Sequence, residues 1–254
     1  FSEQNNISVK NPENLNNEKE YETFKQLRAD IGIVVAYGKL IPKNFLSLTK
    51  FGFINIHASL LPKWRGAAPI QRAILNGDKK TGVTLMKIEE KLDSGPILNS
   101  RELNLNENLT YGEVEQKLSV MGANLLIENL EVIENGKANF IKQIHNQASY
   151  AKKISKNEAK INWNLDADKI VAKVHGLSPR PGAWFEFENK RFKVLRVRKK
   201  LLSGKPAVVL DEKLTVGCLK NSIEILEIQR EGKNIQNIND FLLGNKIDKD
   251  TILN

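Results

Sequence analysis

The sequence predicts an α/β first half with a mostly parallel sheet and a small β-barrel second half, and three observations carry that reading. Helical and strand patterns alternate from Glu18 to Ile88, which implies a parallel sheet with helices on its faces. A long amphipathic run then closes at Asn135-Gly136, an ending that helices favour. Short β-branched runs separated by turn residues follow in the last third of the chain, the pattern of a small barrel.

Tyr21, Phe24 and Leu27 stand at helical spacing between Glu18 and Ala29, and Asp30 leads from that helix into the run IGIVVAY. A β-branched run of this kind reads as a fully buried parallel strand. Pro42 opens a short helical stretch to Leu48, after which FGFINIHASLLP supplies a strand from Phe51 ending at His57. A helix from Ala67 to Leu75 and a strand from Gly82 to Ile88 come next, and Pro96 to Leu105 adds a strand or hairpin. From Leu109 to Ile133, the residues Val114, Leu118, Met121 and Leu125 mark the apolar stripe of a long helix. Residues 137–155 are polar and basic, with Lys142, Lys152 and Lys153 among scattered hydrophobes, and form a linker or crossing segment. Ala167 to Val174 is helical, and FEF, FKVLRVR, AVVL, LTVGCL and IEILEIQ make five short strands. The expected units are therefore 1–136, a basic linker 137–155, and a barrel domain 156–254.

With 254 residues and 41% hydrophobic content, the chain can bury a sizeable core in one large or two modest domains. Its single cysteine, Cys218, excludes an intramolecular disulfide and a thiolate metal cluster and reads as packing. No apolar run approaches the ~20 residues that cross a bilayer, so a cytoplasmic protein without membrane association is expected. The net charge of +9, from 39 basic and 30 acidic residues, suits either a polyanionic partner or simple solubility.

The chemistry concentrates in NIHASLLPKWRGAAPIQRAI, from Asn55 to Ile74. Residues two apart on a strand share a face, so the Asn55 amide and the His57 imidazole project side by side near the strand's C-terminal end. Such ends are where α/β sheets place their ligand crevice, and two donors there can hold a developing oxyanion. A lone strand histidine is more often structural, but burying an amide beside an imidazole is costly without a functional reason. Asp93, in the turn Leu92-Asp93-Ser94-Gly95, is either a turn former or a carboxylate that orients and charges His57. Ser59 lacks the glycine-flanked elbow of a nucleophilic serine. No phosphate-cradling glycine pattern occurs, and the three histidines have no metal-ligand spacing, so no metal is expected. Trp64, between Lys63 and Arg65, either covers the core edge or meets a flat anionic ligand.

The run RFKVLRVRKK carries no acid. Arg191 and Lys193 share one parity and Arg196 and Arg198 the other, so a bulge near Val194-Leu195 would bring all four to one surface. A basic barrel face suits a nucleic-acid backbone, and an ordinary solvated strand is the alternative. Neutralising Arg196 and Arg198 together is expected to weaken such binding and flatten its salt dependence.

NIHASLLPKWRGAAPIQRAI, GVTLMKIEEKLDSGPIL, AYGKLIP, SPRPGAW and IQREGK together resemble the methionyl-tRNA formyltransferase family, within the folate-dependent formyltransferases, from about Asp30 to the C-terminus. The resemblance implies a Rossmann-like catalytic sheet and an OB-like second domain. It assigns a catalytic trio to Asn55, His57 and Asp93, and a folate loop to Ser59, Leu60, Leu61 and Pro62. It also implies 10-formyltetrahydrofolate as donor, initiator methionyl-tRNA as acceptor held partly by Arg191, Lys193, Arg196 and Arg198, and a monomeric, metal-free enzyme. Transfer to a small amine, or hydrolysis of the formyl folate, is the alternative within the group; an RNA-binding protein with a dead transferase domain is the alternative outside it. The family's first strand and loops have no counterpart before Ile31, so the sheet is expected to be incomplete and the polypeptide, made alone, poorly stable and weakly active.

Overall fold

Apolar burial sorts the chain, described over residues 1–253 in a computed structural model, into two cores. The first surrounds a four-stranded sheet of order β1-β2-β4-β5, where β1 is Gly32–Val35, β2 Phe53–His57, β4 Lys80–Lys87 and β5 Ile97–Asn104. Helix α1 (Glu18–Gln26) packs Phe24 on Phe53 with ring centroids 5.7 Å apart. The short α2 (Lys43–Leu46) adds Phe45 to that side. On the other face lies α4 (Tyr111–Glu134), which buries Val114, Leu118, Leu125 and Ile133. Gly122 lets it approach closely, since a Cβ there would stand 2.7 Å from Ile56 Cγ2. Thr110 caps α4 through a reciprocal capping box with Glu113, which satisfies amide groups the helix leaves unpaired.

Two expectations about this sheet are corrected. Only β1 and β2 pair in parallel; β2–β4 and β4–β5 are antiparallel. The connection after β2 contains β3 (Arg65–Gly66) and the seven-residue α3 (Pro69–Leu75). That connection re-enters the sheet at the end of β2 where it left, so β4 runs back along β2. β4 therefore starts beside the end of β2, with His57 opposite Thr84. Nor is β1 fully buried. It is an edge strand among the described residues, with Ile33 39% and Val35 60% exposed.

The second core belongs to a curled antiparallel sheet of order β11-β10-β8-β7, with β9 also pairing β10. Its strands are β7 (Ala183–Phe187), β8 (Lys190–Lys200), β9 (Thr215–Gly217), β10 (Ser222–Arg230) and β11 (Gln236–Asn237). Among the described residues no pairing joins β7 to β11, so the expected small barrel is a half-barrel, and α5 (Ala167–Leu177) packs across it with Ile170, Val174 and Leu177 buried. AVVL (207–210) makes only isolated bridges, Val208 to Ile252 and Val209 to Val216, and its first residue, Ala207, has a φ of +68° and so lies outside the extended region. The chain ends beyond α6 (Ile238–Gly244), and Cys218 is 1% exposed in the core, where burial pushes its thiol up to about 12.

The basic stretch between the domains is a crossing segment held to both. Toward the first domain, Ile141 bridges to Ile97, β6 (Tyr150–Ala151) pairs in parallel with β3, and Glu158 forms an ion pair with Arg72 of α3; toward the second, Ile154 packs against its core. The domains also meet at His175, whose Nδ1 lies 2.6 Å from the Glu107 carbonyl while its Nε2 accepts the Val197 N–H at 3.3 Å.

Candidate active site

The alternation of β2 decides what faces outward. Ile54 and Ile56 turn toward α4, so Asn55 and His57 share the opposite face. The Asn55 amide is half-buried and hydrogen-bonds no other described residue. His57 is 6% exposed, with its Nε2 3.0 Å from the Trp64 carbonyl. A carbonyl can only accept, so Nε2 carries the proton. On the other side of the ring, Nδ1 stands 3.8 Å from Asp93 Oδ2, within ion-pair reach but beyond a hydrogen bond. The same oxygen accepts the Gly66 N–H at 2.8 Å.

The loop after His57 is tied at nearly every residue. The Thr84 hydroxyl donates to Ser59 O at 2.7 Å and accepts the Leu61 N–H at 3.2 Å, while Ser59 Oγ donates to Lys63 O at 2.6 Å. The Trp64 indole N–H donates to Asp78 at 2.7 Å, and its main-chain N–H donates to Ser149 Oγ at 3.0 Å. Of the four residues assigned to the folate loop, Ser59 and Leu61 are buried. Leu60 and Pro62 line a cavity of about 460 Å³ with Lys63, Trp64 and Lys79. Trp64 thus both covers the edge, through Asp78, and borders an open space.

Trp64 has φ +61° and Asp93 φ +46°, a left-handed backbone that costs about 1–3 kcal/mol per residue and clusters at functional sites. The Asp93 turn is confined as well, since a Cβ on Gly95 would stand 2.0 Å from Lys87 O. A residue with no signal in the sequence completes the arrangement. Gln143, 6% exposed and fifty positions beyond Asp93, reaches back from the crossing segment. Its Nε2 donates to the carbonyls of Asp93 and Gly95, and its Oε1 accepts from the Arg65 guanidinium. Arg65 itself is 3% exposed. The sequence marks it only as a loop cation.

The four cations of β8 do share the outer side. Val194 and Leu195 are both buried, and Leu195 has no partner in the register between Val194–Ile228 and Arg196–Glu227, which is the anticipated bulge. Neighbouring elements, however, supply the acids that the strand lacks. Arg191 lies near Glu186 (3.9 Å) and over the Trp184 ring, Arg196 reaches Glu113 (2.8 Å) and Glu227 (3.5 Å), and Arg198 pairs with Glu224 (2.8 Å). Arg196 also donates to the Asn108 carbonyl, so it clamps the two domains. Lys193 has no carboxylate within ion-pair distance among the described residues.

A profile described as Formyl transferase matches residues 2–130, and one described as Formyl transferase, C-terminal domain, matches residues 153–246. The methionyl-tRNA formyltransferase of Pelagibacter ubique (strain HTCC1062) is 48% identical over 250 residues, covering 98% of this chain and 81% of that protein. The chain belongs to the methionyl-tRNA formyltransferase family. A second member, from Chelativorans sp. (strain BNC1), is 39% identical over 256 residues, covering 99% of this chain and 82% of its own length. Among solved structures, HypX from Aquifex aeolicus in complex with tetrahydrofolic acid superposes with a TM-score of 0.70 at 20% identity, over 91% of this chain and 44% of that one. The methionyl-tRNA formyltransferase from Clostridium thermocellum gives 0.59 at 19%, over 78% of this chain and 86% of that one. At these identities the two structures speak to the fold alone. Within this formyltransferase family member, then, Asn55, His57 and Asp93 lie at one site and the β8 cations on the other domain.

Proposed function

We propose that this formyltransferase moves the formyl group of 10-formyltetrahydrofolate to the α-amino group of initiator methionyl-tRNA. The observation that carries the reading is the convergence of two separate segments on three side chains. Asn55 and His57 share the end face of β2, and the Asp93 turn brings a carboxylate to 3.8 Å from His57 Nδ1. Attack of the amine forms a C–N bond at the formyl carbon and places negative charge on its oxygen, for which the Asn55 amide and the His57 imidazole are the donors. Asp93 orients the imidazole and accepts the amine's surplus proton, directly or through water, for delivery to the folate nitrogen as its bond to the formyl carbon breaks. Ser59, Leu60, Leu61 and Pro62 are the fixed wall beside the folate. The half-barrel, of oligonucleotide-binding type, holds the tRNA backbone with Lys193, Arg191 and Arg198, and Arg196 keeps the domain in place.

The test is formylation of charged initiator tRNA by the wild-type chain, His57→Ala and Asp93→Asn, with an amino-sugar nucleotide as the competing acceptor. We expect each variant to lose about 10²–10³-fold in kcat. Unchanged turnover in both variants would refute the mechanism, and preference for the small amine would refute the acceptor.

A further inference from the structure

Gln143 spends its whole amide on the site. Oε1 accepts from Arg65 Nε at 3.1 Å and Nη2 at 2.6 Å, and Nε2 donates to Asp93 O at 2.9 Å and Gly95 O at 2.8 Å. Both carbonyls belong to the turn that presents the Asp93 carboxylate. That turn cannot settle toward β4, because Gly95 already lies against Lys87 O. On the far side, the clamp is anchored by Arg65, whose Nη2 also meets His145 Nδ1 at 3.2 Å. The next residue, Gly66, gives its N–H to Asp93 Oδ2. A carboxamide is the side chain this junction requires. It accepts from a guanidinium on one end and donates to two carbonyls on the other, which neither a carboxylate nor an ammonium can do.

We infer that Gln143 is a positioning residue for formyl transfer, acting by holding the Asp93 carboxylate at the Gly66 N–H and at His57 Nδ1. The inference rests on the formyl-transfer reading of the site. Gln143→Leu removes every contact of the amide and leaves Arg65 only His145, whereas Gln143→Glu keeps an acceptor for Arg65 and turns a carboxylate oxygen on the two carbonyls of the turn.

The full chain is compared with Gln143→Leu, Gln143→Glu, Asp93→Asn and the double variant Asp93→Asn/Gln143→Leu. Thr110→Ala, at the distant α4 cap, serves as a control for general destabilisation. Both single Gln143 variants are expected to lose about 10²-fold in kcat, the effect of ångström-scale misplacement, with KM for either substrate within about 2-fold. In the Asp93→Asn background, Gln143→Leu should cost less than about 2-fold more, because it acts only through Asp93. Exchange of the Gly66 amide with solvent, followed by NMR, should accelerate in Gln143→Leu and not in Thr110→Ala. Unchanged kcat, losses that multiply in the double variant, or undisturbed Gly66 exchange would each overturn the inference. If the wild-type chain makes no formylmethionyl-tRNA, the reaction reading fails, and the Gly66 amide still decides whether the clamp exists.

Discussion

An amide and an imidazole two residues apart on a strand make a site only when the strand's alternate face is free, and α4 takes the Ile54 and Ile56 side of β2. Asn55→Ala should then lower kcat by about 10²–10³-fold, the size of a lost oxyanion donor, with little change in thermal midpoint, since the amide holds no other described residue. Formylation kinetics alongside thermal scans check both halves of that statement. His175 is a histidine of the opposite kind. Burial lowers it from its usual 6.5, an effect the Glu107 carbonyl opposes and the nearby Arg196 charge reinforces, with Glu113 opposing. As pH falls through the unfolded value, the unfolded chain takes up a proton that the folded one refuses, so stability drops until the lower folded value is reached. The thermal midpoint of the wild type should fall between about pH 7.5 and about pH 5.5, and more steeply than that of His175→Gln. Parallel curves would remove His175 as the cause.

At the scale of elements, the start of α4 joins capping to domain docking through one carboxylate. Burial alone would raise Glu113, but the Thr110 N–H, Arg196 and the Thr110 hydroxyl outweigh it and hold it down to about 2. Thr110→Ala should cost about 1 kcal/mol in urea unfolding. Strand β8 makes a sharper distinction. A cation already paired with a carboxylate exchanges one partner for another on meeting a phosphate, whereas an unpaired one releases counterions. Lys193→Gln should therefore reduce the salt slope of tRNA binding by about one, and Arg198→Gln by less, because Glu224 already neutralises it. Equal reductions, measured from filter binding across a salt series, would count against this partition.

At the scale of the whole molecule, the same question of unmet partners arises at β1, an edge strand whose Ile33 and Val35 stand in solvent. Exposed apolar edges promote strand addition, so Val35→Lys should lower self-association in sedimentation without altering the fold. Sequence periodicity was enough to mark β2, β4, α4 and the repeated strands of the second half, because burial of one face writes itself into residue spacing. Parity also set Asn55 beside His57 and anticipated the bulge at Leu195, whereas Asp93 stayed open between a turn former and a partner of His57 until the family resemblance singled it out. The direction of the strands was not legible: whether β4 runs with or against β2 depends on where the connection through β3 and α3 re-enters the sheet, which residue spacing does not encode. Nor were the acids that neutralise β8, which come from Glu113, Glu186, Glu224 and Glu227 on other segments. By itself the sequence determined the two cores and the chemical groups of the site. Only the tertiary structure decided that Gln143 and Arg65 tie down the turn that carries Asp93, 3.8 Å from His57 Nδ1, because hydrogen bonds between residues far apart in the chain leave no period for spacing to reveal.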